Sequence, residues 1–420
     1  MTDIPAQPLP QPAADDAADP APARDTDGGS AGSLVPIAFT GSGAEYFGIW
    51  IVNLLLMILT LGLYYPWARV RKLKYFASST EIGGYPMHFN GVPRRMFGGF
   101  VVAALAFLIY TFGEFIHPLV STLAFVSFAL LWPWLLRAAL RFRLAKTDWR
   151  GVPLAFRGSL RDAYLSLLPG FAVLACLALL GGAFGTWQPT VDVSDPRELI
   201  EEPGFWLTAS LGLALLLAIP LLLPWLHFRL TRYRQSHYGF TSLTSRFTAS
   251  LGDFYRAYLK TGLVGLLALG LAVATLGFLV LLVYGLESMQ QSDAMHGALL
   301  ASIPIMIGLL VLLWQVFRAF FETVLFNLVW GSTEAQGLQL YADLSFWRVL
   351  GVRLLNMVLI MLTIGLYTPF AIVAITRLKL HALSLASSTD LDALVGEAAS
   401  GRLSAASDAA ADLFDLDIGL

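Results

Sequence analysis

Three proline–tryptophan pairs, Pro66-Trp67, Pro133-Trp134 and Pro224-Trp225, each follow an apolar run and are followed by the same residue types at the same distances. A base stands eight residues after each proline (Lys74, Arg141, Arg232), an aromatic nine after (Tyr75, Phe142, Tyr233) and a phenylalanine 23 after (Phe89, Phe156, Phe247). Three such sets imply one structural unit used several times, a constraint that precedes any local pattern. Boxes near 39, 89, 156, 247 and 340 mark the expected copies. The fourth is degenerate, with Phe317-Arg318 in the Pro-Trp place and Phe326 in the aromatic place.

The medium follows from composition. Hydrophobic residues make up 57% and charged residues 13%, against ~25% charged in an ordinary soluble domain. Runs such as 205–223 and 261–286 carry no charge and reach the ~18–20 residues that cross a bilayer. Segments 66–95, 137–162 and 227–256 hold 18 of the 27 Lys and Arg residues, whereas 186–204 holds five acids and one base. Because Lys and Arg mark the cytoplasmic side, the basic segments are expected inside and the acidic turns outside. Cys176 is the sole cysteine, so no disulfide forms within the chain.

The fold class expected is an all-α integral membrane protein, a polytopic bundle of six spanning helices near 96–113, 117–136, 163–185, 205–226, 257–286 and 297–326. Two end segments, 47–65 and 348–368, either re-enter and return or span fully, giving eight crossings; full crossing puts Arg377 and Lys379 on the wrong side from Lys74. Residues 1–36 read as a disordered acidic tail, 37–385 as the membrane domain and 386–420 as an acidic C-terminal tail, with both tails cytoplasmic.

Short cytoplasmic elements join the spans. Gly84-Tyr85-Pro86-Met87-His88-Phe89-Asn90-Gly91 and Gly151-Val152-Pro153-Leu154-Ala155-Phe156-Arg157-Gly158 favour a turn with a short strand. Gathered together, these elements form a β-containing cap under the membrane. Ser42, Ser159 and Ser250 are each followed three residues later by Glu45, Asp162 and Asp253, a helix-start signature.

The run Phe39-Thr-Gly-Ser-Gly-Ala-Glu-Tyr-Phe, then Asn53, then Thr60-Leu-Gly-Leu-Tyr-Tyr-Pro-Trp-Ala-Arg-Val-Arg71, then Tyr75-Phe76 and Thr80, resembles the YjgN-like family of bacterial inner-membrane proteins. The resemblance is strong over 37–100, weaker over 340–385, and extends over 37–385. It implies a multi-pass inner-membrane protein, and, since the family is defined by a domain of unknown function, no reaction or ligand. Phe370 replaces tryptophan in the last copy, and Ala371-Ile372-Val373 lacks the bases of Arg69-Val70-Arg71.

Seven residues are candidates for a polar cavity: Asn53, Thr60, Asn356, Thr363, Arg318, Glu322 and Arg353. Asn53 and Thr60 share one helix face, and Asn356 and Thr363 repeat them 303 residues later. The plainer reading of these four is hydrogen bonding between helices, worth ~0.6–2 kcal/mol per contact. Arg318 and Glu322 lie one turn apart, so the plainer reading is that they pair with each other near the cytoplasmic end. Trp67, Arg71, Lys74, Trp134, Arg141, Trp225 and Arg232 are expected at the interface, facing anionic lipid rather than nucleic acid. Phosphate-loop, zinc-protease and nucleophile-elbow patterns are missing from the sequence, so an enzyme, a metal and a cofactor are not expected. Two functions remain: a transporter or channel-like protein for a small solute, or a non-catalytic membrane scaffold or anionic-lipid-interacting protein. Oligomeric state is not encoded in any of these features.

Overall fold

Two-residue turns of unusual backbone punctuate the chain. Gly83 and Gly84 have φ of 60° and 79°, and Arg150 and Gly151 have 52° and 76°. Positive φ at both central residues is the mark of a tight hairpin whose twist matches its strands. In the computed structural model, which describes residues 33–113, 115–168, 170–171, 173, 203–288, 292–388 and 390–400, four hairpins of one form occur. Each has a three-residue strand, a two-residue turn and a five-residue strand: β2 (Thr80–Ile82) with β3 (Tyr85–Phe89), β4 (Thr147–Trp149) with β5 (Val152–Phe156), β6 (Tyr238–Phe240) with β7 (Leu243–Phe247), and β8 (Thr333–Ala335) with β9 (Leu338–Ala342).

The ends of the described chain complete the ring. β1 (Ser33–Phe39) pairs with β10 (Leu383–Ser387) on one side and with β2 on the other, and β10 pairs with β9. The result is a closed ten-strand antiparallel barrel. Along the strands one alternate set is apolar and buried, including Ile37, Phe39, Phe89, Trp149, Val152, Phe156, Leu243, Phe247 and Leu383. The register places Arg246 opposite Glu334 and His88 opposite Asp148 on the other, polar face. Burial on one side only is what fixes such short strands in register.

Helices connect the hairpins in pairs. α1 (Gly43–Leu59) and α2 (Tyr65–Ser78) lead from β1 to β2; α3 (Pro93–Gly113) and α4 (Pro118–Ala145) lead from β3 to β4. α5 (Pro203–Gln235) leads into β6, α6 (Leu251–Ser288) and α7 (Ser292–Gly331) join β7 to β8, and α8 (Phe346–Leu362) and α9 (Thr368–His381) join β9 to β10. In an antiparallel ring the end of one strand lies beside the start of its neighbour. Every helix that joins two strands is therefore rooted on one rim, and every tight turn lies on the other, where residues 391–400 form a further helix and Asp392 pairs with Arg150. Each helix packs on its neighbour in chain order through α1 to α4 and through α5 to α9, and α1 packs on α9 to bring the ends together.

The helix starts show the expected chemistry. Ser42 Oγ accepts from Glu45 N while Glu45 Oε2 accepts from Ser42 N, and Ser250 with Asp253 repeats this; Ser159 Oγ accepts from Asp162 N and donates to Asp162 Oδ2. The repeated tyrosines close the same junctions: Tyr75 Oη donates to Ser42 O at 2.7 Å, and Tyr233 Oη to Ser159 O at 3.2 Å. Pro66, Pro133, Pro224 and Pro369 are all fully buried, at the heads of α2 and α9 and inside α4 and α5.

The all-α, six-span bundle is corrected on two counts. Ten strands form a barrel, because short strands with little stability singly gain partners from hairpins far away in sequence. Five helices among the described residues are long and apolar enough to cross a membrane: Met96–Gly113, Leu119–Ala145, Gly204–Gln235, Leu251–Leu282 and Ser302–Gly331. The expected span 163–185 falls mostly outside the described residues, as do Cys176, Glu114, the acidic segment up to 202 and residues 1–32 and 401–420. The fourth hairpin also ends at Ala342, two residues beyond the box placed near 340. It brings Ala319, not Phe317, into the place of the prolines.

Candidate functional site

The end segments are helical hairpins rather than long single helices. α1 has 17 residues and α2 has 14, as do α8 and α9; at 1.5 Å per residue, 17 residues rise about 25 Å, short of a ~30 Å hydrocarbon layer. At the tips, Gly62 and Gly365 take φ of 88° and 89°. Thr60 Oγ1 donates to Leu56 O at 2.7 Å and accepts from Tyr64 N at 3.0 Å; Thr363 does the same with Leu359 O and Tyr367 N. Both threonines are thus spent on closing turns. Leu61 and Ile364, beside them, are 94% and 95% exposed.

Asn53 and Asn356 are buried in the helix seams. Asn53 Nδ2 reaches Ala68 O across the hairpin at 3.5 Å, while Asn53 Oδ1 and Asn356 Nδ2 have no hydrogen-bond partner among the described residues. A buried amide atom left unpaired costs free energy, so these two positions are open to a polar group.

Of the seven polar candidates, the structure joins Glu322 and Arg353 directly. Asn53 and Thr60 belong to the α1–α2 hairpin, whereas Glu322 and Arg353 meet where α7 packs on α8. Glu322 pairs there with both Arg353 and Lys379, joining α7, α8 and α9. Arg318 is exposed, and the expected Arg318–Glu322 pair is absent because Glu322 turns to the seam with bases on two other helices. Gln315, seven residues before Glu322 on the same helix face, donates to Met357 Sδ at 3.5 Å, and its Oε1 is buried without a partner among the described residues. Lys379 was not among the sequence candidates. Its signal was present: it stands ten residues after Pro369, as Arg143 and Arg234 stand ten after Pro133 and Pro224.

Lys74, Arg141 and Arg232 lie in the last two turns of helices that run into the rim, whereas Trp67 stands at the tip end of α2. Arg71, Lys74, Trp134, Arg141 and Arg232 are exposed, and Trp67 and Trp225 are half-buried. Arg71 stacks over Tyr64 at 5.7 Å and Arg232 over Phe228 at 6.0 Å. Above them the helices expose leucines and phenylalanines widely, among them Leu221, Leu266 and Phe278. Such a bare apolar surface meets lipid tails.

The family model described as "Bacterial protein of unknown function (DUF898)" matches residues 35–413. The chain belongs to that family. It is 29% identical over 150 residues to inner membrane protein YjgN of Salmonella typhimurium, covering 34% of this chain and 37% of the relative. Inner membrane protein YjgN of Escherichia coli O157:H7 is 29% identical over 131 residues, covering 30% and 32%. That of Escherichia coli strain K12 is 29% identical over 128 residues, covering 29% and 31%. The chain therefore matches about a third of the length of these curated relatives. No solved structure matches. With relatives named as inner membrane proteins and five helices apolar enough to cross, this DUF898 member is a membrane protein in contact with the bilayer.

Proposed function

We propose that the chain is a non-catalytic, multi-pass inner-membrane protein that gathers anionic lipid around the root rim of its helices. The observation carrying this reading is that Lys74, Arg141 and Arg232 come from three different helix-to-strand junctions, are all exposed, and belong to one rim of a closed ring. Five copies of one unit, four continuous and the fifth split between β10 and β1, distribute these bases around an axis. By the positive-inside rule the rim and both tails face the cytoplasm, where each base near the surface is worth ~1 kcal/mol towards anionic lipid. The test is the lipid that co-purifies with the full chain, measured by mass spectrometry. Wild type is expected to be enriched in phosphatidylglycerol over phosphatidylethanolamine, and the K74A/R141A/R232A variant to lose most of that enrichment. Equal lipid profiles reject the reading.

A second reading, passage of a small solute or ion, is favoured by the polar seam of Gln315, Glu322, Arg353, Asn356 and Lys379. It requires an ion or proton leak in proteoliposomes that the Glu322→Gln variant changes. A tight bilayer with both proteins removes it.

A further inference from the structure

Two crevices on the basic rim share five lining positions at one fixed spacing. One, of about 510 Å³, lies where α5 meets β7 and is lined by Arg232, Ser236, Arg246, Phe247 and Thr248. The other, of about 440 Å³, lies where α2 meets β3 and is lined by Lys74, Ser78, His88, Phe89 and Asn90. Each residue of the second precedes its counterpart in the first by 158 positions. In both, the lining brings together a base from the end of the helix, a nitrogen-bearing side chain from the strand, a serine and a phenylalanine.

The charges at their edges differ in a useful way. His88 is 3.9 Å from Asp148, which also accepts from Asn90 at 2.6 Å. Arg246 faces Glu334 in the strand register without an ion pair, and Asp253 is turned to Ser250 and Arg256. Neither Arg232 nor Lys74 has an ion-pair partner among the described residues. The junction after β5 breaks the pattern. Ala155 stands where the strand base belongs, and Arg157 is committed to Thr241 O, Ser242 O and Thr244 Oγ1 of the next hairpin. Arg141 is thus a rim base without a crevice of this design.

We propose that these two crevices are discrete sites for a phosphate group, Arg232 with Arg246 holding it in one and Lys74 with His88 in the other. Nitrogen donors from two elements at one opening suit the several oxygens of a phosphate, and Phe228 and Phe247 line the first opening beside them. The source is a phospholipid headgroup or a soluble phosphate. This inference rests on the anionic-lipid reading and sharpens it from a diffuse attraction to two defined positions.

Native mass spectrometry of the full chain in neutral detergent, titrated with phosphatidylglycerol, tests it. Wild type is expected to retain two lipids tightly, and R232Q/R246Q and K74Q/H88Q to retain one each, with affinity at the lost site down by about tenfold or more. R232K/R246K, which keeps both charges, should retain its lipid, and Arg141→Gln should retain both. Inorganic phosphate is the second probe: if it displaces the lipid at millimolar levels through the same residues, the sites take phosphate from either source. Phosphate binding without lipid binding makes the ligand soluble and sinks the lipid reading while the sites stand. Graded, non-stoichiometric binding that falls equally with Arg141→Gln overturns the sites and leaves diffuse attraction. No binding of either probe overturns both.

Discussion

Glu322 is the residue on which the helix seam turns. Its side chain is 16% exposed, and its partners Arg353 and Lys379 are 13% and 33% exposed. At 1.5 Å per residue, Glu322 sits about 14 Å above the end of α7 and Arg353 about 10 Å above the start of α8, so the cluster lies low in the bundle near the basic rim. Two bases held by one acid are stable only while the acid remains: removing one partner of a buried pair costs about 3–5 kcal/mol, because the others stay desolvated. The Glu322→Ala variant is therefore expected to melt well below wild type in detergent, and replacing all three by Leu or Met to recover most of the loss. If Glu322→Ala melts as wild type does, the cluster is solvated and contributes little. The sequence exposed Glu322 as a charge in an apolar run but misassigned its partner, since Arg318 is nearer in the chain and Lys379 nearer in space.

At the level of the elements, the hairpins depend on backbone that few side chains tolerate. A Cβ at Gly84 or Gly151 would meet nothing within 4 Å, so their φ of 79° and 76° is the whole constraint. Left-handed backbone costs a side-chain-bearing residue about 1–2 kcal/mol; Gly84→Val and Gly151→Val should each lower the melting temperature, whereas Gly48→Ala, in open space on α1, should be neutral or slightly stabilising by helix propensity. Equal effects at all three sites reject this account. The turns and the strand ends at Phe89 and Phe156 were readable from Gly-x-Pro-x-x-Phe-x-Gly, and the helix caps from Ser-x-x-acid. What could not be read was the pairing. β3 finds β4 across 58 residues, and β1 finds β10 across some 350, and no local pattern in a three-residue strand carries that information. The length of the uncharged apolar runs decided the fold class, and the barrel lay hidden in segments of three and five residues.

For the whole molecule, the closed antiparallel ring restricts topology more tightly than charge counting does. A connection that leaves the helix-bearing rim and returns to the neighbouring strand must cross a membrane an even number of times or not at all. This holds for the short hairpins 43–78 and 346–381 as well as for α3 with α4 and α6 with α7. The tight turns at 83–84, 150–151, 241–242 and 336–337 are then expected in one aqueous compartment, although they are separated by long apolar helices. Single cysteines placed at Arg150, Thr241 and Gln336 on a Cys176→Ser background test this with a membrane-impermeant maleimide. All three should label from the same face of sealed inner-membrane vesicles. A cysteine at Leu61, at the apolar tip of the first hairpin, should not react from that face, because the tip points away from the rim that roots it. Labelling of Arg150 and Gln336 positions from opposite faces cannot be reconciled with a closed ring, since the hairpins that pair edge to edge would then lie on two sides of a bilayer.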